Sequence, residues 1–497
     1  MVDEQERLIV VRPASEVSLK ARRTRDRFMR TLRSAVLDAL QRNGVRCRVN
    51  RRTNRLLVWV TDGPQEVAEE TIGRIFGVGS YSPVRAVTAA NAEVIAEEGH
   101  RVFSAQIGGR SFAVRAKRFG EHPFSSMDVA RKLGAALSPY GPVDLTNPQV
   151  EIRVEVMNDK AYLFEDKLPG IGGLPLGTEA KALSLLSGGF DSAVASHEVM
   201  RRGVALDFVL FNLAGGAYER LVTQAAKLIS DRWAYGTRPS LYVIDFTDVV
   251  LNLRSSTRED YWQVLLKRLM YRGAAQLGES LGAQALVTGE SIGQVSSQTL
   301  ANLRAIEEAS PMPVLRPLVA MDKREIMERA KDVGTDVISA RVQEYCAITT
   351  GRPVVAASLQ VCNDEEAKLD PQVLGKAVEE AKRVKLQALT QADLMLPYLF
   401  TDEVPEGATL VDCQAPHHFE AWRVEDAPHF DPLRLLNEPK LLDKSGKYVL
   451  YCGQGTQSAQ VAEVLQQLGY EAYSFRGGTK ALRRYLEESR QLVEAGS

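Results

Sequence analysis

The stretch that most constrains this chain is Ser187-Gly188-Gly189-Phe190-Asp191-Ser192. It follows the apolar run Ala182-Leu183-Ser184-Leu185-Leu186 and leads into a helical pattern over 193–202. A strand, a glycine-rich loop and a helix in that order aim backbone N–H groups at an anion, and the helix dipole adds to the attraction. Gly188 and Gly189 let the backbone approach a phosphate closely, and Ser187 and Ser192 add hydroxyl donors. A Walker loop would end in a Lys that reaches the β- and γ-phosphates; none stands here. The loop reads as a pyrophosphate grip, suited to cleavage between the α- and β-phosphates of a nucleotide. The plain alternative is an ordinary βα turn.

Around this loop the pattern alternates. Strands are expected at 182–186, 206–213, 241–246, 285–288 and 314–319, with helices at 218–233, 260–281 and 323–333. That alternation predicts an α/β architecture with a doubly wound parallel sheet, whose ligands lie beyond the carboxyl ends of the strands. The turn Val287-Thr288-Gly289-Glu290 falls on the same edge as the loop. Gly289 would admit an adenine or ribose, and Gln294 and Gln298 follow in a polar loop. Lys267, on the long helix, would offset charge developing on the phosphates; a solvated surface Lys is the plain alternative. Asp191 is a candidate for holding Mg²⁺ against the pyrophosphate.

At 497 residues the chain exceeds a single core, and two to four domains are expected. Residues 1–60 carry a net charge of +9 and residues 401–497 a net charge of −5. The basic end suggests a polyanion partner, against a solvated helix face. A helix over 19–43 carries an apolar stripe of Phe28, Leu32, Val36 and Leu40. With its flanking strands it fits a small ferredoxin-like module. A second mixed α/β unit spans 80–165. There a strand over 111–118 puts Arg115 and Lys117 on one face, beside Phe112, Phe119 and Phe124, a set suited to phosphate contact and base stacking or to a plain sheet surface. The Gly/Pro-rich stretch 167–179 reads as a connector and 401–407 as a second linker, followed by a small α/β domain. No signal segment or membrane-length apolar run is present, so the expected setting is the cytoplasm.

The five cysteines form no CxxC pair, which removes zinc-ribbon spacing. Cys452 ends the apolar run Tyr448-Val449-Leu450-Tyr451 and precedes Gly453-Gln454-Gly455-Thr456-Gln457 and a helix. Successive N–H groups in that setting cradle a thiolate or persulfide anion, so Cys452 is a candidate nucleophile. Cys413, Cys47 and Cys362 read as packing residues. Cys346, in Glu344-Tyr345-Cys346-Ala347, stays open between core and catalysis.

Taken together, Glu16-Val17-Ser18-Leu19-Lys20, Arg115-Ala116-Lys117-Arg118, Phe124-Ser125-Ser126, Ile171-Gly172-Gly173, the 187–192 loop, residues 287–299, Glu344-Tyr345-Cys346 and the Cys452 loop resemble the tRNA uridine 4-sulfurtransferase (4-thiouridine synthetase) family in its long form with a rhodanese-like tail. The resemblance implies a ferredoxin-like domain (1–78), a THUMP RNA-binding domain (79–166), a linker (167–179), a PP-loop ATP pyrophosphatase domain (180–395) and a rhodanese-like domain (404–497). It implies that ATP adenylates O4 of a tRNA uridine, that a cysteine desulfurase loads sulfur on Cys452, and that Cys346 pairs with Cys452 in a turnover disulfide. The family's ATP positions fall on Leu185, Leu186, Lys267, Gly289 and Gln298. A thiazole sulfur-carrier protein of thiamine synthesis and a second copy of the chain, as a homodimer, are further partners to consider. Two departures stand out. The Cys452 loop carries no Arg or Lys, so backbone N–H groups alone are expected to hold a persulfide. The rhodanese Asp-x-Arg reads Asp412-Cys413-Gln414. The rivals are another PP-loop tRNA-thiolating ligase and a non-catalytic RNA-binding sulfur carrier.

Overall fold

Six strands build the sheet that carries the 187–192 loop, in the order Val314–Leu315, Leu286–Val287, Lys181–Leu185, Ala205–Asn212, Ser240–Asp245, Lys382–Lys385. The computed structural model describes residues 7–213, 215–339, 352–390, 399–453 and 455–495. From Lys181–Leu185 the chain builds outward through Ala205–Asn212 and Ser240–Asp245, then returns to the opposite side with Leu286–Val287 and Val314–Leu315. That is doubly wound topology, and its switch point follows Leu185, where such sheets open a ligand crevice. The central strands Ala205–Asn212 and Ser240–Asp245 are largely apolar because both faces are covered: Phe208, Val209, Leu210, Leu241 and Ile244 are all buried. Helix Trp262–Ser280 contributes Leu265, Leu266, Met270, Tyr271 and Ala274 to the same core.

Three local departures from the sequence reading have physical causes. The strand expected over 314–319 stops at Leu315, two residues before Pro317, which has no N–H to extend a ladder. A sixth strand, Lys382–Lys385, pairs antiparallel with Ser240–Asp245; its charged Lys-Arg-Val-Lys sequence gives no apolar signal. The helix expected over 19–43 begins only at Arg22 and runs to Arg42, with a separate short helix, Ser15–Ser18, ahead of it. Ala21 adopts an extended ψ of 148° as the cap of the longer helix.

The chain separates into two compact units, with residues 1–181, 197–205 and 231–238 in one and the remainder in the other. The first unit holds two sheets. One runs Arg46–Arg52, Arg55–Asp62, Arg7–Pro13, Val78–Pro83, Leu168–Pro169, and its pairs are antiparallel. Phe28, Leu32, Val36 and Leu40 are buried in its core, as the stripe predicts. The other runs Ala86–Ala89, Lys160–Phe164, Val150–Met157, Phe112–Phe119. Helix Ala92–Ile107 starts on an Asn91 cap and helix Ser126–Leu137 on a Ser125/Asp128 capping box. Phe112 is fully buried in this core, so it cannot stack a base: strand alternation turns it inward, away from Lys117.

In the second unit, the C-terminal sheet is parallel throughout, in the order Phe400–Thr401, Glu471–Phe475, Lys447–Tyr451, Ala408–Asp412. Cys452 therefore follows a central strand at its carboxyl end. No helix among the described residues is long and apolar enough to cross a membrane.

Candidate functional site

The 187–192 loop is held by its own hydroxyls. The Ser187 N–H donates to Ser192 Oγ at 3.2 Å, Ser192 Oγ donates to the Gly189 carbonyl at 3.3 Å, and the Tyr218 hydroxyl donates to the Ser187 carbonyl at 2.9 Å. Gly188 takes φ 75°, a left-handed turn that suits glycine. Gly289 faces the start of helix Phe190–Arg201 so closely that a Cβ there would lie 2.5 Å from the Asp191 carbonyl carbon and 2.6 Å from the Ser192 nitrogen. The two halves of the switch point thus meet backbone to backbone.

One cavity of 140 Å³ lies against these elements. Leu185, Leu186, Ser187, Asp191, Ser192, Lys267, Gly289 and Gln298 all line it. Gly188 and Gly189 shape the turn without lining that cavity. The Asp191 carboxylate is engaged on both oxygens, by Lys323 Nζ and Gln294 Nε2, each at 2.8 Å. Sequence reasoning missed Lys323. It opens helix Lys323–Val333 behind an Asp322/Glu325 capping box. Lys323 thus places a cation beside Asp191 in the 187–192 loop. Glu290 was also missed, although its turn was singled out. Burial alone would push its carboxyl up, but Lys267, the Tyr271 hydroxyl and Arg316 outweigh burial and hold it below the usual carboxylate range.

Within the first unit lies a much larger cleft, of 1380 Å³. Its lining includes Arg12, Arg55, Arg115, Lys117, Arg131, Arg153 and Lys167 against Glu16 and Glu155. Glu155, buried, accepts from Arg12 Nε at 2.7 Å and from Arg55 Nε at 2.9 Å. The Arg12 guanidinium stacks over Phe164 and that of Arg55 over Phe119. Arg115 is committed to Glu151 at 2.9 Å, while Lys117 and Arg131 stand exposed. Burial, with Arg12, Arg153 and Lys117 nearby, lowers the Lys167 ammonium's proton affinity. Exposed Met127 and Leu145 are apolar surfaces in the same cleft. Such a lining matches a polyanion with unstacked bases.

Cys452 is 2% exposed. Its Sγ receives the Ser458 N–H and the Ser458 hydroxyl, both at 3.4 Å. Backbone groups therefore do not act alone there, as the sequence reading expected: a side-chain hydroxyl from the following helix joins them. The Ser458 hydroxyl is set in turn by Ser474 Oγ at 2.9 Å. A Cβ on Gly478 would lie 2.5 Å from the Cys452 carbonyl oxygen, so this glycine closes the loop from beneath. The His418 ring borders Gly453, its Nε2 3.8 Å from where that residue's Cβ would stand. Gln414 donates to buried Asp412 from N at 2.8 Å and from Nε2 at 3.1 Å. The Tyr451 hydroxyl completes that carboxylate at 2.7 Å. Cys413 is fully buried, and desolvation, with Cys452 and Asp412 nearby, pushes its thiol well up; it stays a packing residue. Cys362 is likewise buried. Cys346 lies outside the described residues.

Comparison with known proteins agrees with this layout. Residues 8–82 match the family described as ThiI ferredoxin-like domain, 89–166 the THUMP domain, 177–370 the Thiamine biosynthesis protein (ThiI), and 399–484 the Rhodanese-like domain. A tRNA sulfurtransferase from Pyrobaculum aerophilum is 35% identical, the match covering 94% of this chain and 96% of the relative. One from Marinobacter nauticus is 34% identical over 93% of this chain and 98% of its own length. The solved structure of a 4-thiouridine synthetase–RNA complex with bound ATP superposes with a TM-score of 0.66 at 28% identity, over 76% of this chain and 98% of that one. With relatives this similar along nearly its whole length, the chain belongs to the tRNA sulfurtransferase family.

Proposed function

We propose that this chain transfers persulfide sulfur to a tRNA uridine at the expense of ATP, giving 4-thiouridine. The observation that carries the reading is the cavity after Leu185. It gathers Leu185, Leu186, Lys267, Gly289 and Gln298 with the anion loop, residues that lie up to 113 positions apart in sequence. Its lining of Leu185, Leu186 and Met270 with a few polar groups suits an aromatic base, which leaves the phosphates over the 187–192 loop. There the helix N-terminus receives them, Lys267 offsets their charge, and Lys323 exchanges Asp191 for a phosphate oxygen. Asp191, so released, is one oxygen ligand for a Mg²⁺ that the nucleotide brings. No cluster of three His, Cys, Asp or Glu occurs among the described residues, and a magnesium ion bound through one carboxylate and phosphates needs none.

The uridine O4 attacks the α-phosphorus as N3 gives up its proton; the α–β P–O bond breaks and pyrophosphate leaves. A carbonyl oxygen, a poor leaving group, has become AMP. The Cys452 thiolate attacks the terminal sulfur of a cysteine desulfurase's persulfide, and the donor leaves as a thiolate. The terminal sulfur on Cys452 then displaces AMP at C4. The Cys346 thiolate attacks Cys452 Sγ, releases 4-thiouridine, and leaves a Cys346–Cys452 disulfide that a dithiol reopens. In this reading the basic cleft is the tRNA surface, and the domain limits are those read from sequence. The chain also supplies sulfur for the thiamine thiazole, and it works in the cytoplasm, where a turnover disulfide can be reduced.

The test is pyrophosphate release from ATP on unmodified tRNA. Wild type should turn over in a tRNA-dependent manner and Asp191→Ala should lose at least about a hundredfold. A protein indifferent to both tRNA and the substitution would be a sulfur carrier instead.

A further inference from the structure

Glu290 is a carboxylate with one oxygen fully engaged and one not. Its Oε2 accepts the Tyr271 hydroxyl at 2.5 Å, Arg316 Nε at 2.9 Å and the Thr288 hydroxyl at 3.2 Å. Its Oε1 is buried and has no hydrogen-bond partner, and the residue as a whole is 3% exposed. An ionised carboxylate oxygen in such a place requires a donor. The three anchors come from three separate segments, so the group cannot swing away to find one. It lines the same cavity as Lys267, Tyr271 and Gln298.

What can serve that oxygen follows from the cavity's contents. Phosphate oxygens only accept, and two anions repel. Arg316 is committed to Oε2 and to Glu307 at 2.8 Å. Asp191, also in the lining, is itself an acceptor. Lys267 lies one helical turn before Tyr271 on helix Trp262–Ser280, which puts the two side chains on one face. Its charge attracts the Glu290 carboxylate.

We propose that Glu290 is the positioning residue for Lys267: its unengaged oxygen is the acceptor that draws the Lys267 ammonium into the cavity. The Tyr271–Arg316 anchor fixes the carboxylate, the carboxylate fixes the ammonium, and the ammonium meets the charge that grows on the departing pyrophosphate. A flexible Lys needs such a guide more than an Arg does. The inference rests on the reading of this cavity as the nucleotide site.

The experiment follows pyrophosphate release with ATP and unmodified tRNA across pH, and ATP affinity at equilibrium, for wild type, Glu290→Gln, Lys267→Met and the double variant. Glu290→Gln should slow turnover roughly tenfold, as misplacement of a positioned group does. It should move the alkaline limb of the profile down, because the neighbouring negative charge that favours the ammonium is gone. ATP affinity should hold, and the double variant should be no slower than Lys267→Met alone. An unmoved alkaline limb, or losses that multiply in the double variant, would overturn the proposal. So would lost ATP affinity at unchanged turnover, which would make Glu290 a direct nucleotide contact. Should Glu290→Gln not fold, Glu290→Asp keeps the charge and withdraws the oxygens by one bond. It should slow turnover at preserved ATP affinity, and wild-type turnover would refute the idea. A Lys267→Met protein equal to wild type would overturn the site assignment itself, whatever Glu290→Gln does.

Discussion

Gly289→Ala adds one methyl group at the centre of the proposed nucleotide site. Its φ lies outside the left-handed region, so alanine brings no backbone strain and the effect is steric. The new Cβ would stand 2.5 Å from the Asp191 carbonyl carbon, 2.6 Å from the Ser192 nitrogen and 2.7 Å from the Asp191 oxygen. All three are backbone atoms of the anion loop, and ordinary contact begins at 3.4 Å. The loop must therefore retreat by about 0.9 Å, the difference between the first and last of those distances. Overpacking of this kind costs about 1 to 3 kcal/mol of stability, which a domain of this size survives. Catalysis is more sensitive, since a displacement near 1 Å of positioned groups costs on the order of a hundredfold. Pyrophosphate release on tRNA should fall by about that factor, while a melting curve still shows a cooperative transition. Wild-type turnover in a folded Gly289→Ala protein would refute the claim that this contact sets the loop.

Cys452→Ser should abolish 4-thiouridine formation and leave tRNA-dependent pyrophosphate release intact; mass spectrometry of nucleosides and a phosphate assay read the two separately. Charge reversal at Lys117 and Arg131, exposed cations of the large cleft, should lower the slope of the salt dependence of tRNA binding by roughly 1.4 to 1.8, about 0.7 to 0.9 for each of two phosphates no longer neutralised. Removing the carboxylate in Glu155→Gln leaves Arg12 and Arg55 unpaired in a buried place and should cost about 3 to 5 kcal/mol in denaturant titration. Burial pushes the Glu155 carboxyl up, but Arg12 and Arg55 outweigh it and hold it below its ordinary 4.5. Its stabilisation is complete above that ordinary value and is lost as pH falls through the lower folded one. Wild type should therefore weaken on acidification below about pH 4.5, and Glu155→Gln should weaken less steeply.

Much of this site was legible in sequence because the chemistry sits where secondary structure changes. The 187–192 loop and Cys452 each end an apolar strand and precede a helix, and that pattern survives without coordinates. Gly289 and Gln298 were legible as turn residues on the same sheet edge. Lys323 was not, because a Lys at a helix start looks like any other until the fold brings its ammonium to Asp191. Ser458 and Ser474 were hidden for the same reason: serines are common, and only packing sets one against the Cys452 sulfur. Phe112 was misassigned although it lies five positions before Lys117, an odd spacing that puts the two on opposite faces of one strand. Lys382–Lys385 escaped because an edge strand exposes its side chains and so carries no apolar signature.

The central claim is that one molecule of ATP is cleaved to AMP for each sulfur delivered. The decisive measurement incubates the purified protein with ATP, magnesium, unmodified tRNA, a dithiol and a persulfide-loaded cysteine desulfurase, then counts AMP and 4-thiouridine together. Equal amounts of the two, with AMP-linked tRNA but no 4-thiouridine from Cys452→Ser, is the predicted result. Sulfur entering the tRNA without AMP, or wild-type levels of 4-thiouridine from Cys452→Ser, would contradict it.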